Sequence, residues 1–241
     1  MARALVMGIV NVTPDSFSDG GRYFSPEEAL RRAVNIELEG ADIIDIGAES
    51  TRPGATPLTW QEEWSRLEPV LKSLEPKSAF LSVDTYHPET AERAVKLGAR
   101  MINCVYAEYA GEMVAVQRAH SGVQVVLPSS WALEGGRLSE LSDFYVDPMI
   151  GFGTTREEDI RLLRSLESLS SRARVLAGVS KKRIIKKLTG EKTLGKTVGG
   201  SLAAAVWCVM KGASCVRVHD VRETVQAVKV VSELENGEAV K

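Results

Sequence analysis

Eight short apolar runs, at 4–10, 42–46, 79–84, 100–105, 123–127, 144–147, 174–179 and 215–218, constrain this chain more than any other feature. Segments with apolar residues three or four apart separate them, at 26–40, 61–74, 88–98, 110–120, 156–170, 196–211 and 221–235. The runs are apolar nearly throughout rather than alternating. Strands of that kind are buried on both faces and belong to a parallel sheet clothed by helices. Eight such units in 241 residues predict an α/β fold, a (β/α)8 TIM barrel forming a single domain over 1–241. A doubly wound open sheet is the runner-up, but no GxGxxG follows the first run. Between the fifth and sixth runs lies only the segment 128–143, room for a short helical turn, so the fifth crossover helix is expected to be shortened or missing. Ser25, Pro26, Glu27 and Glu28 read as an N-cap and first turn.

At 44% hydrophobic residues the chain can bury a large core, and its net charge of −2 implies no general attraction to nucleic acid or to a membrane surface. The longest apolar stretches fall far short of a membrane span. The run after Arg3 enters a polar loop without a small-residue cleavage site, which predicts a cytoplasmic protein. Cys104, Cys208 and Cys215 are odd in number and form no CxxC pair, as expected of reduced thiols.

In a barrel of this kind the chemistry gathers at the C-terminal ends of the strands. Polar residues collect there. The first run ends in Asn11 and continues to Asp15, Ser16 and Phe17; the second opens onto Asp45-Ile-Gly-Ala-Glu49-Ser-Thr51-Arg52-Pro-Gly54. The third ends in Asp84, the fourth in Asn103 and the sixth in Asp147-Pro-Met-Ile-Gly-Phe152-Gly. The seventh ends in Ser180-Lys181-Lys182-Arg183 and the eighth in Arg217-Val-His219-Asp220. Any one of these has an ordinary structural reading: a lone Asp caps a helix, and a lone His is a satisfied, half-buried side chain. His87 and His120 stay in that class, as the start and end of helices. Convergence on one rim sets the others apart.

The rim divides chemically. Asp84, Asn103 and Asp147 suit a flat, amide-rich heterocycle, because a carboxylate can take an N–C–N donor edge bidentately as it takes a guanidinium. Arg52, Lys182, Arg217 and His219 suit an anion such as a phosphate. Asn11 offers an oxygen to a hard cation, which favours Mg²⁺ shared with a phosphate.

The stretches GIVNVTPDSFSDGG, GADIIDIGAESTRPGA, SVDT, MIN, DPMIGFG, SKKR and RVHDV, in this order, resemble the dihydropteroate synthases, from about residue 5 to 225. The resemblance implies joining of 6-hydroxymethyl-7,8-dihydropterin diphosphate to 4-aminobenzoate with release of diphosphate, Mg²⁺ as cofactor, and a homodimer formed through the last helices. By motif, Asp84, Asn103, Asp147 and Lys182 would hold the pterin, with Arg217 stacked on its face. Asn11 with Mg²⁺, Thr51, Arg52, Arg217 and His219 would hold the diphosphate. Ser180, Phe152, Phe17 and the residues around Pro53 would surround the arylamine. The loop carrying Phe17 would be a mobile loop that closes over the site with the Ser-Thr-Arg-Pro-Gly loop.

The chain departs from the family pattern in places. Cys104 stands where an acid is usual, implying loss of a second acidic group. Leu127 is expected to replace a methionine on the pocket floor, with Pro128 and Trp131 packed beneath the pterin, and Lys181 replaces an Arg. Two other classes compete: a pterin-dependent methyltransferase of the related barrel family, and a non-catalytic pterin-binding protein. Retention of Asn11, Arg52, Arg217 and His219 argues against the methyltransferase.

Overall fold

A computed structural model describes residues 3–13, 26–49, 56–74 and 79–236. Eight parallel strands lie in the order β6-β5-β4-β3-β2-β1-β8-β7. They are β1 (Leu5–Asn11), β2 (Ile43–Gly47), β3 (Phe80–Asp84), β4 (Met101–Asn103), β5 (Gln124–Pro128), β6 (Phe144–Asp147), β7 (Leu176–Gly178) and β8 (Cys215–Val218). A parallel bridge between Val146 and Val175 brings β6 to the start of β7 and nearly closes the ring. This is the (β/α)8 architecture expected from the alternation of runs.

The helices are α1 (Pro26–Leu38), α2 (Trp60–Ser73), α3 (Pro88–Lys96), α4 (Ala110–Ala119), α5 (Ser129–Leu133), α6 (Arg156–Ser170), α7 (Arg183–Thr189), α8 (Val198–Met210) and α9 (Val221–Asn236). Helices α2 and α6 each start at a capping box, Thr59 with Glu62 and Thr155 with Glu158, which satisfies N–H groups that the helix itself leaves unpaired. The fifth crossover is short, as expected: five α-helical residues followed by 3₁₀ turns over Glu134–Glu140. Helix α7 is an addition to the helices expected from periodicity. It has only seven residues, and its Ile184-Ile185 pair continues the preceding run more readily than it signals a helix; Gly190, at φ 72°, ends it.

Side-chain alternation along the strands sorts the core into two parts. Met7, Ile43, Met101, Val126, Tyr145, Leu176 and Cys215 fill the lower barrel interior. The larger cluster, with Val6, Ile44, Ile46, Val83, Ile102, Val125, Leu127, Val146 and Val216, packs outward beneath the helices. Three expectations about the pocket fail here. Leu127 and Cys104 both belong to the outer cluster, so Leu127 replaces no floor residue and Cys104 takes no acid out of the barrel mouth. Trp131 also packs against the outer cluster, with the Arg137 guanidinium 4.7 Å from its ring centre, not beneath the mouth. The period-two geometry of a strand decides this: Asn103 and Cys104 necessarily face opposite ways.

Candidate functional site

The strands that carry an apolar lower layer carry polar side chains one step higher. On β2, Asp45 is fully buried and follows Ile43 on the inner face; on β8, Arg217 follows Cys215. Their side chains meet, Arg217 Nε donating to Asp45 Oδ2 at 2.6 Å. Arg217 Nη2 donates to Asp84 Oδ2, also at 2.6 Å. Asp45 accepts two further bonds, from Ser82 Oγ at 2.6 Å and from Asn103 Nδ2 at 3.1 Å. Four strands thus contribute to one network across the barrel. Gly47 makes room for it: a Cβ there would lie 3.0 Å from the Asp84 Cβ.

Charge balance in this network is tight. Burial pushes the Asp84 carboxyl up to about 7, with Arg217 opposing the rise and Asp45, Glu63 and Asp147 adding to it. Burial alone would lower Arg217, but the carboxylates of Asp45 and Asp84 outweigh it and hold the guanidinium above its ordinary value. The expectation that Arg217 is available to an anion therefore needs adjustment: two of its three nitrogens are already paired with carboxylates.

Across the mouth, Asp147 ends β6 and Lys182 caps α7. Asp147 Oδ1 accepts the Met149 N–H at 2.6 Å. Burial raises the Asp147 carboxyl, opposed first by Lys182 and then by that N–H. The Lys182 ammonium donates to the Ile150 carbonyl and lies 4.3 Å from the centre of the Phe152 ring. Burial brings its pKa down to about 8, against the pull of Asp147. Met149 and Lys181 both sit at positive φ, 65° and 55°, in the two turns that aim these groups. Left-handed backbone at non-glycine residues costs about 1–3 kcal/mol each and collects at functional turns. A second carboxylate, Asp159 of α6, ties the β6 turn together by accepting from Gly151 N at 2.7 Å and from Thr154 Oγ1 at 2.5 Å.

On the remaining arc, Asn11 ends β1 on the exposed rim, in register with Gly47. His219 Nδ1 stands 3.1 Å from Ser180 Oγ, and the His219 N–H donates to the same oxygen at 3.2 Å. Lys181 pairs with Asp220 at 2.8 Å. His87 caps α3 and pairs with buried Glu63 at 3.1 Å, while His120 ends α4 and pairs with Glu92 at 2.8 Å, so both keep their structural reading. Phe17, Thr51, Arg52 and Pro53 lie outside the described residues.

The structure therefore gathers Asp84, Asn103, Asp147, Phe152, Ser180, Lys182, Arg217 and His219 in the mouth, with Asn11 on its edge. Sequence reading names Asp45 only as the start of the second polar stretch and gives it no role. Its signal was a carboxylate on an inward step within an apolar strand, a position that demands partners.

The family profile described as "Pterin binding enzyme" matches residues 7–132 and 140–219, which reach into every strand. The chain belongs to the pterin-binding enzyme family. Within that family it is similar to the dihydropteroate synthases. It is 36% identical to the "Dihydropteroate synthase" of Staphylococcus haemolyticus, over 99% of this chain and 97% of that one. Among solved structures, dihydropteroate synthase of Xanthomonas albilineans with 4-aminobenzoic acid superposes with a TM-score of 0.87 at 37% identity, covering 99% of this chain and 94% of that one. The same enzyme in complex with 7,8-dihydropteroate gives a TM-score of 0.84 at 35% identity, covering 99% and 95%.

Proposed function

We propose that this chain is a dihydropteroate synthase, a transferase that joins 6-hydroxymethyl-7,8-dihydropterin diphosphate to 4-aminobenzoate and releases diphosphate. The observation that carries the reading is the set Asp84, Asn103, Asp147, Lys182 and Arg217 in one barrel mouth, in a chain that matches such synthases over nearly its whole length.

The residues divide the work. Asp84, Asp147 and the Asn103 carbonyl are acceptors for the N–H edges of the pterin, and Asn103 Oδ1 is buried with no hydrogen-bond partner among the described residues. Lys182 and Arg217 flank the ring system as cations. In the reaction the bond between the pterin methylene and the diphosphate oxygen breaks, and its electron pair leaves with diphosphate. The arylamine nitrogen then bonds to the methylene and loses a proton. Cations at the mouth favour the leaving anion, with His219 and Ser180 at its border. By family resemblance Thr51, Arg52 and Phe17, which lie outside the described residues, would serve that side.

Mg²⁺ fits the donors present. Among the described residues no three His, Cys, Asp or Glu side chains form a cage for a cation. Asn11 at the rim is a single hard oxygen donor, the kind of contribution made to an ion that arrives with a phosphate and keeps its waters. Bound there, Mg²⁺ would offset charge on the departing diphosphate.

No described helix is long and apolar enough to cross a membrane. A homodimer through the late helices is supported by a groove of about 390 Å³ between α6, α7 and α8, lined by Ile160, Leu163, Leu188 and Trp207 among others, with Met210 exposed on the same helix as Trp207. The small residues of α8 serve its packing within the subunit as well: a Cβ on Gly200 would fall 2.7 Å from Ile185.

Diphosphate release measured with pterin diphosphate and 4-aminobenzoate together tests the reading. Release that depends on both substrates, with dihydropteroate formed, is expected. Pterin binding without release would support a non-catalytic binder, and methyl transfer to a corrinoid protein would support the related methyltransferases.

A further inference from the structure

Beneath the residues that face the ligand lies one fully buried carboxylate with three donors, and the chemistry of its neighbours gives it a specific task. Asp45 accepts from Ser82 of β3, from Asn103 of β4 and from Arg217 of β8. An asparagine amide can present either its NH₂ or its carbonyl to a ligand, since a half-turn exchanges them. A carboxylate that already accepts from a guanidinium rewards only the NH₂. The Asn103 amide is thereby turned so that its carbonyl is the end left over, and that oxygen is buried and has no hydrogen-bond partner among the described residues. The same carboxylate holds Arg217 by Nε, so that Nη2 meets Asp84.

We propose that Asp45 is the positioning residue that sets the hydrogen-bonding polarity of the pterin pocket, fixing Asn103 as an acceptor for a ligand N–H and holding Arg217 against Asp84. The proposal rests on the synthase reading, and its test separates the two. A merely structural Asp45 would lend stability alone. A positioning Asp45 also controls which edge of a ligand is accepted and the pH at which Asp84 becomes charged. The charged groups bearing on Asp84 are Arg217 from β8, Asp45 from β2, Glu63 from α2 and Asp147 from β6, and the Asp45 charge works against ionisation of Asp84.

The test uses calorimetric titration of the full chain with 6-hydroxymethylpterin between pH 5.5 and 9. Asp45→Asn keeps the volume but offers Asn103 both a donor and an acceptor, so the amide loses its fixed sense. Affinity is expected to fall tenfold or more, and the acid limb of binding to move to lower pH. Ser82→Ala, which removes one donor and leaves the Asp45 charge, is expected to change affinity less than threefold with the limb in place. Wild-type affinity and an unmoved limb in folded Asp45→Asn would overturn the proposal.

Should that variant not fold, the wild-type protein supplies the second measurement. In ¹⁵N-asparagine-labelled protein, the side-chain NH₂ of Asn103 is expected to stay hydrogen-bonded and slow to exchange both before and after pterin is added. An Asn103 NH₂ that exchanges freely in the ligand-free protein would equally overturn it. If the wild-type chain binds no pterin at all, the synthase reading fails instead, and that outcome is seen before any variant is made.

Discussion

The two sides of the barrel mouth are built differently. On the β2–β3–β4–β8 side the polar groups stand on extended strands and lock one another: Asp45, Asn103, Arg217 and Asp84 form a continuous set of hydrogen bonds. On the β6–β7 side Asp147 and Lys182 are aimed by turns with left-handed residues at Met149 and Lys181, and Lys182 rests on a carbonyl and the Phe152 ring. The first side is tied together from strand to strand, and removing Arg217 would strand two carboxylates. The second is held by backbone geometry, and its cation is a single long side chain. The first is the fixed wall of the pocket and the second, resting on one long side chain, the adjustable wall.

The largest effect should come from breaking the fixed wall. Arg217→Met leaves Asp45 and Asp84 facing each other without their cation. A loss of about 3–5 kcal/mol in urea unfolding is expected, the scale for removing one partner of a buried ion pair. Condensation should fall by about 100-fold or more, as when a group that stabilises developing charge is lost.

Asp84→Asn is milder for the fold and still severe for the ligand. Its charge-assisted bonds to the pterin would be lost, weakening pterin binding by about 2–3 kcal/mol in calorimetry. Unchanged affinity in the folded variant would mean that Asp84 serves only the protein. On the adjustable wall, Lys182→Met should weaken the same binding by about 1–2 kcal/mol and cost less urea stability than Arg217→Met, because Asp147 keeps the Met149 N–H when the ammonium is gone, whereas Arg217 leaves two carboxylates facing each other. Equal stability losses in Arg217→Met and Lys182→Met would erase the contrast between the walls.

The smallest effect belongs to the outward-facing position beside Asn103. Burial pushes the Cys104 thiol up to about 12, so it stays protonated and acts as a small apolar side chain. Cys104→Ala should cost about 1 kcal/mol of stability and leave pterin affinity unchanged.

The contrast also explains what could be read from the sequence. The barrel, the short fifth crossover and the strand-end residues were legible because apolar runs and polar termini are local patterns. Asp84, Asn103, Asp147, Lys182 and Arg217 do meet in one mouth. The pairing of Arg217 with two carboxylates was not legible, since Asp45, Asp84 and Arg217 are up to 172 positions apart and only closure of the barrel brings them together. The outward turn of Leu127 and Cys104 was missed for a different reason. Motif comparison assigns a position to the pocket by its neighbours in sequence, whereas the pleat assigns it by parity. Helix α7 was missed because seven residues give too little periodicity to outweigh two adjacent isoleucines.

The pH dependence of pterin binding tests the central claim most directly. Asp84, at about 7, must be ionised to accept the pterin N–H edge, so affinity should rise as the pH passes upward through that value. Lys182, at about 8, must be protonated to act as a cation, so affinity should fall as the pH passes upward beyond it. Calorimetric titration with 6-hydroxymethylpterin from pH 5.5 to 9.5 should therefore give a bell with its maximum between about 7 and 8. Asp84→Asn should lose the acid limb, and Lys182→Met the alkaline one. Affinity that is flat across this range, or a bell that survives both substitutions, would contradict a pocket in which one wall supplies the carboxylate and the other the ammonium.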